Sequence, residues 1–334
     1  MPNTIRSRAL RYHSYGNPKD VLALEESDLP PLAADELTLK ILAAPINPAD
    51  FGRIGGSYGS LASLPATGGL EGVAEVIEKG DAATRFEIGD RVLISGNPGS
   101  WQTYARAAES SVHLAPNSLE TLQAAMFWVN PATAWRMMND FAELKAGDVI
   151  VQNAATSAVG KLVIQFAAAR GIRTINLVRD PAAIPILADL GATHTFVDNR
   201  ETAKEVLSLP DFDRSEAKLG LNAVGGSSAL GIAKLLADGA PLVTYGGMDR
   251  EPAPFPTRYL IFNNLSLRGF WVSQWYRRAS TEAIESMHEA IASSLDSASI
   301  ETEIAATYPI DDWEEALTHA QMPGKPGKVL FDFR

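Results

Sequence analysis

The chain has 334 residues, 46% hydrophobic and 21% charged, with a formal net charge of −11. That length exceeds one simple core and predicts two domains of ordinary globular composition. The acidic balance argues against nucleic acid or an anionic membrane as the main partner, and no apolar run approaches the roughly 20 residues that span a bilayer. There is no cysteine, so disulfides and thiolate–zinc sites are excluded. The five histidines, His13, His113, His194, His288 and His319, show no metal-ligand spacing.

In chain order, residues 9–12 and 21–25 read as two strands around Gly16-Asn-Pro18. Arg6, Arg8 and Arg11 give the start a faint transit-peptide character, but the two strands make it a structural beginning and predict a cytoplasmic protein. Residues 37–42, 72–77 and 91–94 follow as short strands, with Gly89-Asp90 as a turn before the last. Short strands at this spacing predict a partly closed β barrel. From about residue 121 the pattern changes. Residues 122–138 read as helical except at Asn130-Pro131, and strands and helices then alternate. Strands are predicted at 149–152, 174–178, 195–197, 219–223, 241–245 and 265–271, with helices at 158–170, 181–190 and 227–238. Apolar strands alternating with helices predict a parallel sheet covered on both faces. A long helix over 280–295 leaves this unit, and strands at 304–308 and 328–331 return to complete the first domain. The expected domains are therefore 1–125 with 280–334, and 126–279.

The turn Asn153-Ala-Ala-Thr-Ser-Ala-Val-Gly160 joins a buried strand to a helix. It reads as the phosphate loop of a mononucleotide-binding βαβ unit, with alanines where two glycines are usual. Backbone N–H groups at the helix start would take a pyrophosphate, and Thr156 and Ser157 offer hydroxyls. About twenty residues on, Arg179 stands where an NAD-binding fold usually has an acidic residue, which points to a dinucleotide carrying a 2′-phosphate. Asp180 beside it fits either a ribose hydroxyl or a cap for the helix opening at Pro181. Thr244-Tyr-Gly-Gly-Met248 closes an apolar strand, leaving room for a flat ring. Leu267-Arg-Gly-Phe-Trp-Val-Ser-Gln-Trp275 reads as a second strand end bearing two tryptophans. Tyr58, in Gly55-Gly-Ser-Tyr-Gly59, is a phenol on a glycine-flanked loop and a candidate general acid.

Beyond these local readings, Ile46-Asn-Pro-Ala-Asp50, Gly69-Leu-Glu-Gly72, the nucleotide loop and Gly327-Lys-Val-Leu330 resemble the medium-chain dehydrogenase/reductase superfamily over nearly the whole chain. Val129-Asn-Pro-Ala-Thr-Ala-Trp-Arg-Met137 and the strings around Asn153, Arg179, Gly246 and Trp271 are similar to the 2-enoyl thioester reductases of mitochondrial fatty-acid synthesis and their bacterial relatives. The resemblance implies an α/β architecture with a barrel-like, GroES-like catalytic domain, an inserted Rossmann domain, a homodimer and NADPH. It implies reduction of a trans-2-enoyl thioester, carried by coenzyme A or an acyl carrier protein. The family's catalytic tyrosine falls on Tyr58. Its cofactor contacts fall on Asn130, on Thr156, Ser157, Ala158 and Val159, on Arg179 and Asp180, on Tyr245, Gly246, Gly247 and Met248, on Phe270, Trp271, Val272 and Ser273, and on Lys328. Asn47 and Leu70 stand where the zinc branch has Cys and His, so no metal is expected. A reductase of free enones, enals or quinones and a cofactor-binding protein without turnover remain open at this point. The apolar strand ending the parallel sheet, 265–272, is the expected dimer edge.

Overall fold

A computed structural model describes residues 5–249 and 251–334. In chain order its strands are β1 Arg6–Tyr12, β2 Leu22–Asp28, β3 Glu36–Pro45, β4 Ala66–Thr67, β5 Glu71–Lys79, β6 Arg91–Ser95, β7 Tyr104–Ala108 and β8 His113–Leu114. They continue as β9 Val149–Gln152, β10 Arg173–Val178, β11 His194–Val197, β12 Ala217–Asn222, β13 Pro241–Thr244, β14 Ser266–Gly269, β15 Ile304–Tyr308 and β16 Lys328–Asp332. The chain separates into two compact units, Met1–Val129 with Glu301–Arg334, and Asn130–Ile300.

The first unit is built on a sheet ordered β15-β16-β3-β5-β6-β8, with β7 also pairing β3, and a second sheet ordered β2-β1-β4. β3 is nearly all buried along its length and pairs antiparallel with β5, β7 and β16. Leu37, Leu39, Ile41, Val76, Val92 and Ile94 form one apolar core, and Leu10, Tyr12, Trp101 and Phe331 anchor another. Helix Pro48–Ile54 starts at Asn47, whose backbone N donates to the Asp50 side chain three residues on, with proline in the first turn.

The second unit carries six parallel strands ordered β11-β10-β9-β12-β13-β14. β9 is buried throughout, which its Val-Ile-Val sequence satisfies without alternation. The order reverses between β9 and β12, which opens a crevice at the carboxyl ends of those strands. Helix Ala158–Ala169 buries Val159, Leu162, Val163, Ile164, Phe166 and Ala167.

Three local expectations change. The strand expected to run to 271 stops at Gly269, and Val272–Arg278 is a helix. Its partner β13 ends at Thr244, opposite Gly269, and the chain from Tyr245 turns away to follow residues 222–224. Among the described residues no strand pairs with residues 271–275. The helix expected to leave the second unit, Thr281–Ser297, stays in it: it buries Ile284, Met287, Ile291 and Leu295, and Tyr276 hydrogen-bonds His288. The chain returns to the first unit at Glu301 rather than at 280. Finally, the break expected at Asn130-Pro131 falls earlier, at residues 126–129, between helices Thr121–Ala125 and Asn130–Asp140, and Pro131 lies in the first turn of the second.

Candidate functional site

In the second unit, the turn after β9 is set by its small residues. Ala154 takes a left-handed φ of 48°, and the Ser157 hydroxyl caps helix Ala158–Ala169 by accepting from Gly160 N at 3.1 Å. Gly160 is the one position of the loop where glycine is obligatory. A Cβ there would stand 2.7 Å from the Ala155 carbonyl oxygen and 2.8 Å from that of Ala154. Thr156 is exposed, Ser157 and Ala158 are half-buried, and Val159 is buried, so that residue offers its backbone rather than its side chain.

The crevice is lined with interlocked amides. Asn153 Nδ2 donates to Asn222 Oδ1 at 2.8 Å and to Ser228 Oγ at 2.9 Å, and its Oδ1 accepts from Ala223 N at 2.7 Å. Asn222 in turn donates to Thr244 Oγ1, and Ser228 donates to Asp198. This network fixes the carboxyl ends of β9, β11, β12 and β13 relative to one another. Sequence reading missed it, because a buried asparagine at a strand end looks like any turn residue.

Arg179 lies exposed at the carboxyl end of β10. The helix expected to open at Pro181 begins at Ala183 without a side-chain cap, and Asp180 closes the turn ahead of it, its Oδ1 accepting from Ala182 N at 2.9 Å. The loop after β13 lies along residues 222–224. Tyr245 N donates to Asn222 O and Met248 N to Ala223 O, both at 3.0 Å. Gly246 sits close against Ala223, where a Cβ would approach its carbonyl oxygen to 2.9 Å, while Gly247 faces open space. The Tyr245 hydroxyl is buried beside Ser157 without a formed hydrogen bond, and burial pushes its pKa up to about 12. Asn130, at the start of its helix and 8% exposed, also leaves a buried Nδ2 without a partner. Next to β14, a cavity of about 770 Å³ is lined by Phe141, Thr244, Gly269, Phe270, Trp271 and Trp275, with Arg136 and Arg278 among its charged walls. Arg136 stacks on Trp275 at 4.5 Å and Phe141 meets Phe270 edge-on at 5.9 Å. Trp271 stands just before helix Val272–Arg278, in which Val272 is buried and Ser273 half-buried.

In the first unit, Tyr58 is half-buried on the loop leaving helix Pro48–Ile54, and its backbone N donates to Gly52 O at 3.1 Å. Lys328 opens β16 and is 8% exposed, with its ammonium donating to Asn47 Oδ1. Asn47 Nδ2 donates to Glu71 Oε1 at 2.8 Å, and Glu71 Oε2 accepts from Val129 N at 2.8 Å. Asp50, 1% exposed, accepts from Asn47 N through Oδ2 at 2.7 Å and leaves Oδ1 without a partner. Burial drives the Asp50 carboxyl up to about 7, with the neighbouring Glu71 adding to the shift. Glu71 is raised and Lys328 lowered, again by burial above all. Of this cluster, the sequence points only to Lys328 as a site residue.

Comparison with known proteins agrees with this architecture. Residues 33–117 match the alcohol dehydrogenase GroES-like domain and residues 158–292 the zinc-binding dehydrogenase domain. The chain is 38% identical over 323 residues to the human mitochondrial enoyl-[acyl-carrier-protein] reductase, covering 95% of this chain and 86% of that one. The Etr1p/NADP/crotonyl-CoA complex superposes with a TM-score of 0.88 at 30% identity, covering 98% of this chain and all of the other; Etr1p is a mitochondrial 2-enoyl thioester reductase of Candida tropicalis. A putative NADPH:quinone reductase from Bacillus thuringiensis superposes at 0.89 with 26% identity, covering 98% of this chain and 99% of that one. The cytoplasmic expectation is corrected here, since the curated relatives are named as mitochondrial enzymes and an arginine-bearing first strand does not separate the two locations. With its two domain types, its strand order and its near full-length relatives in agreement, the chain belongs to the medium-chain dehydrogenase/reductase superfamily, in the family of the enoyl thioester reductases.

Proposed function

We infer that this protein is an NADPH-dependent reductase of trans-2-enoyl thioesters, saturating the 2,3 double bond in fatty-acid metabolism. The observation that carries the reading is the near full-length match to an enoyl-[acyl-carrier-protein] reductase and to Etr1p, whose complex holds NADP and crotonyl-CoA. The second unit fits the cofactor on its own evidence. Gly160 lets the helix start pack directly on the turn at Ala154 and Ala155, Asn130 keeps an unpartnered amide, and Gly247 faces open space. The backbone of Thr156, Ser157, Ala158 and Val159 would hold the pyrophosphate at the helix start. Arg179 would pair with the 2′-phosphate, with Asp180 shaping its turn. Tyr245 to Met248, Phe270 to Ser273 and Lys328 complete the set.

NADPH, when bound, supplies the hydride taken by Cβ of the enoyl thioester. As negative charge develops toward the thioester oxygen, hydrogen-bond donors must receive it. Tyr58 is the proposed donor, giving its phenolic proton to Cα directly or holding the thioester oxygen. Metal-free chemistry is part of the proposal: Leu70 has no donor atom, and the amide of Asn47 is already taken by Glu71 and Lys328. A two-fold dimer through the open edge strand β14 is the proposed assembly, and exposed Leu267 within it and exposed Phe262, which ends the preceding helix, favour burial. A monomer at micromolar concentration in sedimentation would argue against it.

The quinone-reductase neighbour keeps a second reading in view, reduction of free enones, enals or quinones. Crotonyl-CoA, a crotonyl carrier-protein thioester and a free enone assayed side by side with NADPH decide it. Turnover of the thioesters at a far higher kcat/KM supports the inference, and preference for the free enone refutes it.

A further inference from the structure

We propose that Glu71 is a positioning residue of the reductase: one buried carboxylate sets Lys328, through Asn47, for the cofactor and ties it to the segments leading to Tyr58 and ending at Val129. Glu71 opens β5 and is 0% exposed. Each of its oxygens has a separate task. Oε1 accepts from Asn47 Nδ2 and Oε2 from the backbone of Val129, both at 2.8 Å. Asn47 spends its remaining groups in two other directions. Its Oδ1 accepts from the Lys328 ammonium, and its backbone N donates to Asp50.

The chemistry leaves this arrangement one orientation. An amide set between a carboxylate and an ammonium must turn its NH₂ to the first and its oxygen to the second. A flip would place oxygen against carboxylate and NH₂ against ammonium. The relay is therefore polarised end to end, and in a buried setting each link is strengthened by the next. Glu71 and Lys328 also offset each other's burial, since each charge favours ionisation of the other. Asp50 and Arg53 on helix Pro48–Ile54, and Lys325, are the other charged groups that act on the cluster.

The three segments come from distant parts of the chain. Asn47 caps the helix that runs into the Tyr58 loop, Val129 directly precedes Asn130, and Lys328 opens β16. A carboxylate needed only for packing would not require a charge at the far end of an amide relay.

This inference rests on the assignment of Lys328 to the cofactor, so the test separates the two. NADPH is titrated by fluorescence against Glu71→Gln, Lys328→Met and the double variant, with thermal melting to verify the fold. Each single change should raise the NADPH dissociation constant by about 10- to 100-fold, the loss expected for one charged hydrogen bond. The double variant should bind no more weakly than the weaker single, since both cut one relay. Unchanged or tighter NADPH binding by Glu71→Gln, with Lys328→Met still weakened, overturns the positioning role, and so do additive losses. Unchanged binding by Lys328→Met overturns the cofactor assignment and the inference with it. If Glu71→Gln does not fold, Asn47→Ser, which cuts the relay but leaves Glu71 its bond to Val129, is judged by the same criteria.

Discussion

Gly160→Ala is the smallest change that tests the nucleotide turn. The added Cβ would meet the Ala155 carbonyl oxygen at 2.7 Å, and the Ala154 carbonyl oxygen and Ala155 Cα at 2.8 Å. All three are backbone atoms, so no side chain can swing aside, and the helix start must lift by several tenths of an ångström. Overpacking of this kind costs about 1–3 kcal/mol. The better helix propensity of alanine returns about 0.8–1 kcal/mol, leaving a net destabilisation of about 0–2 kcal/mol. Gly231 is the internal control. It lies inside helix Gly226–Leu235, and a Cβ there meets nothing within 4 Å. Gly231→Ala should therefore stabilise by about 0.5–1 kcal/mol. Urea unfolding of both variants, with and without NADPH, reads the two signs. Titration should show weaker NADPH binding for Gly160→Ala and parental binding for Gly231→Ala. A Gly160→Ala protein as stable as the parent, with unchanged NADPH affinity, would refute both the packing argument and the pyrophosphate assignment.

Arg179→Ala should weaken NADPH by about 1.5–3 kcal/mol while leaving NADH little changed; equal losses for both, or a parental preference for NADH, would remove the 2′-phosphate role. Tyr58→Phe should lower kcat with crotonyl-CoA by about 10²–10⁴-fold at parental NADPH affinity, and an unchanged kcat would make Tyr58 a wall of the site. Asp50 gives a pH signature. Its folded carboxyl sits near 7, above the usual carboxylate range, so between about pH 4 and 7 the native chain binds more protons than the unfolded one. Its contribution to stability therefore falls as pH rises through that window and stays low above it. Asp50→Asn should remove the fall and stabilise the protein at pH 8 by about 1–3 kcal/mol; a variant that keeps the parental slope would show that another group titrates.

What the sequence determined by itself was local and periodic. The apolar run of β9, the small-residue turn and the helix ending the motif at Gly160 define a nucleotide unit within about twenty residues, since strand and helix periods are properties of neighbouring positions. Alternation of such units implied the parallel sheet, and a cation after β10 lies at a fixed distance along the chain. Tertiary structure decided the rest. The strand read over 265–271 stops at Gly269, opposite the end of its partner β13 at Thr244, and helix Val272–Arg278 follows. The long helix Thr281–Ser297 carries no sign of which unit its apolar face will join. Most of all, Asn47, Asp50, Glu71 and Lys328 show no common spacing, and 281 residues separate the first from the last. Only the pairing of β3 with both β5 and β16 in one sheet brings them together, because burial makes each charged group depend on partners that the chain order does not record.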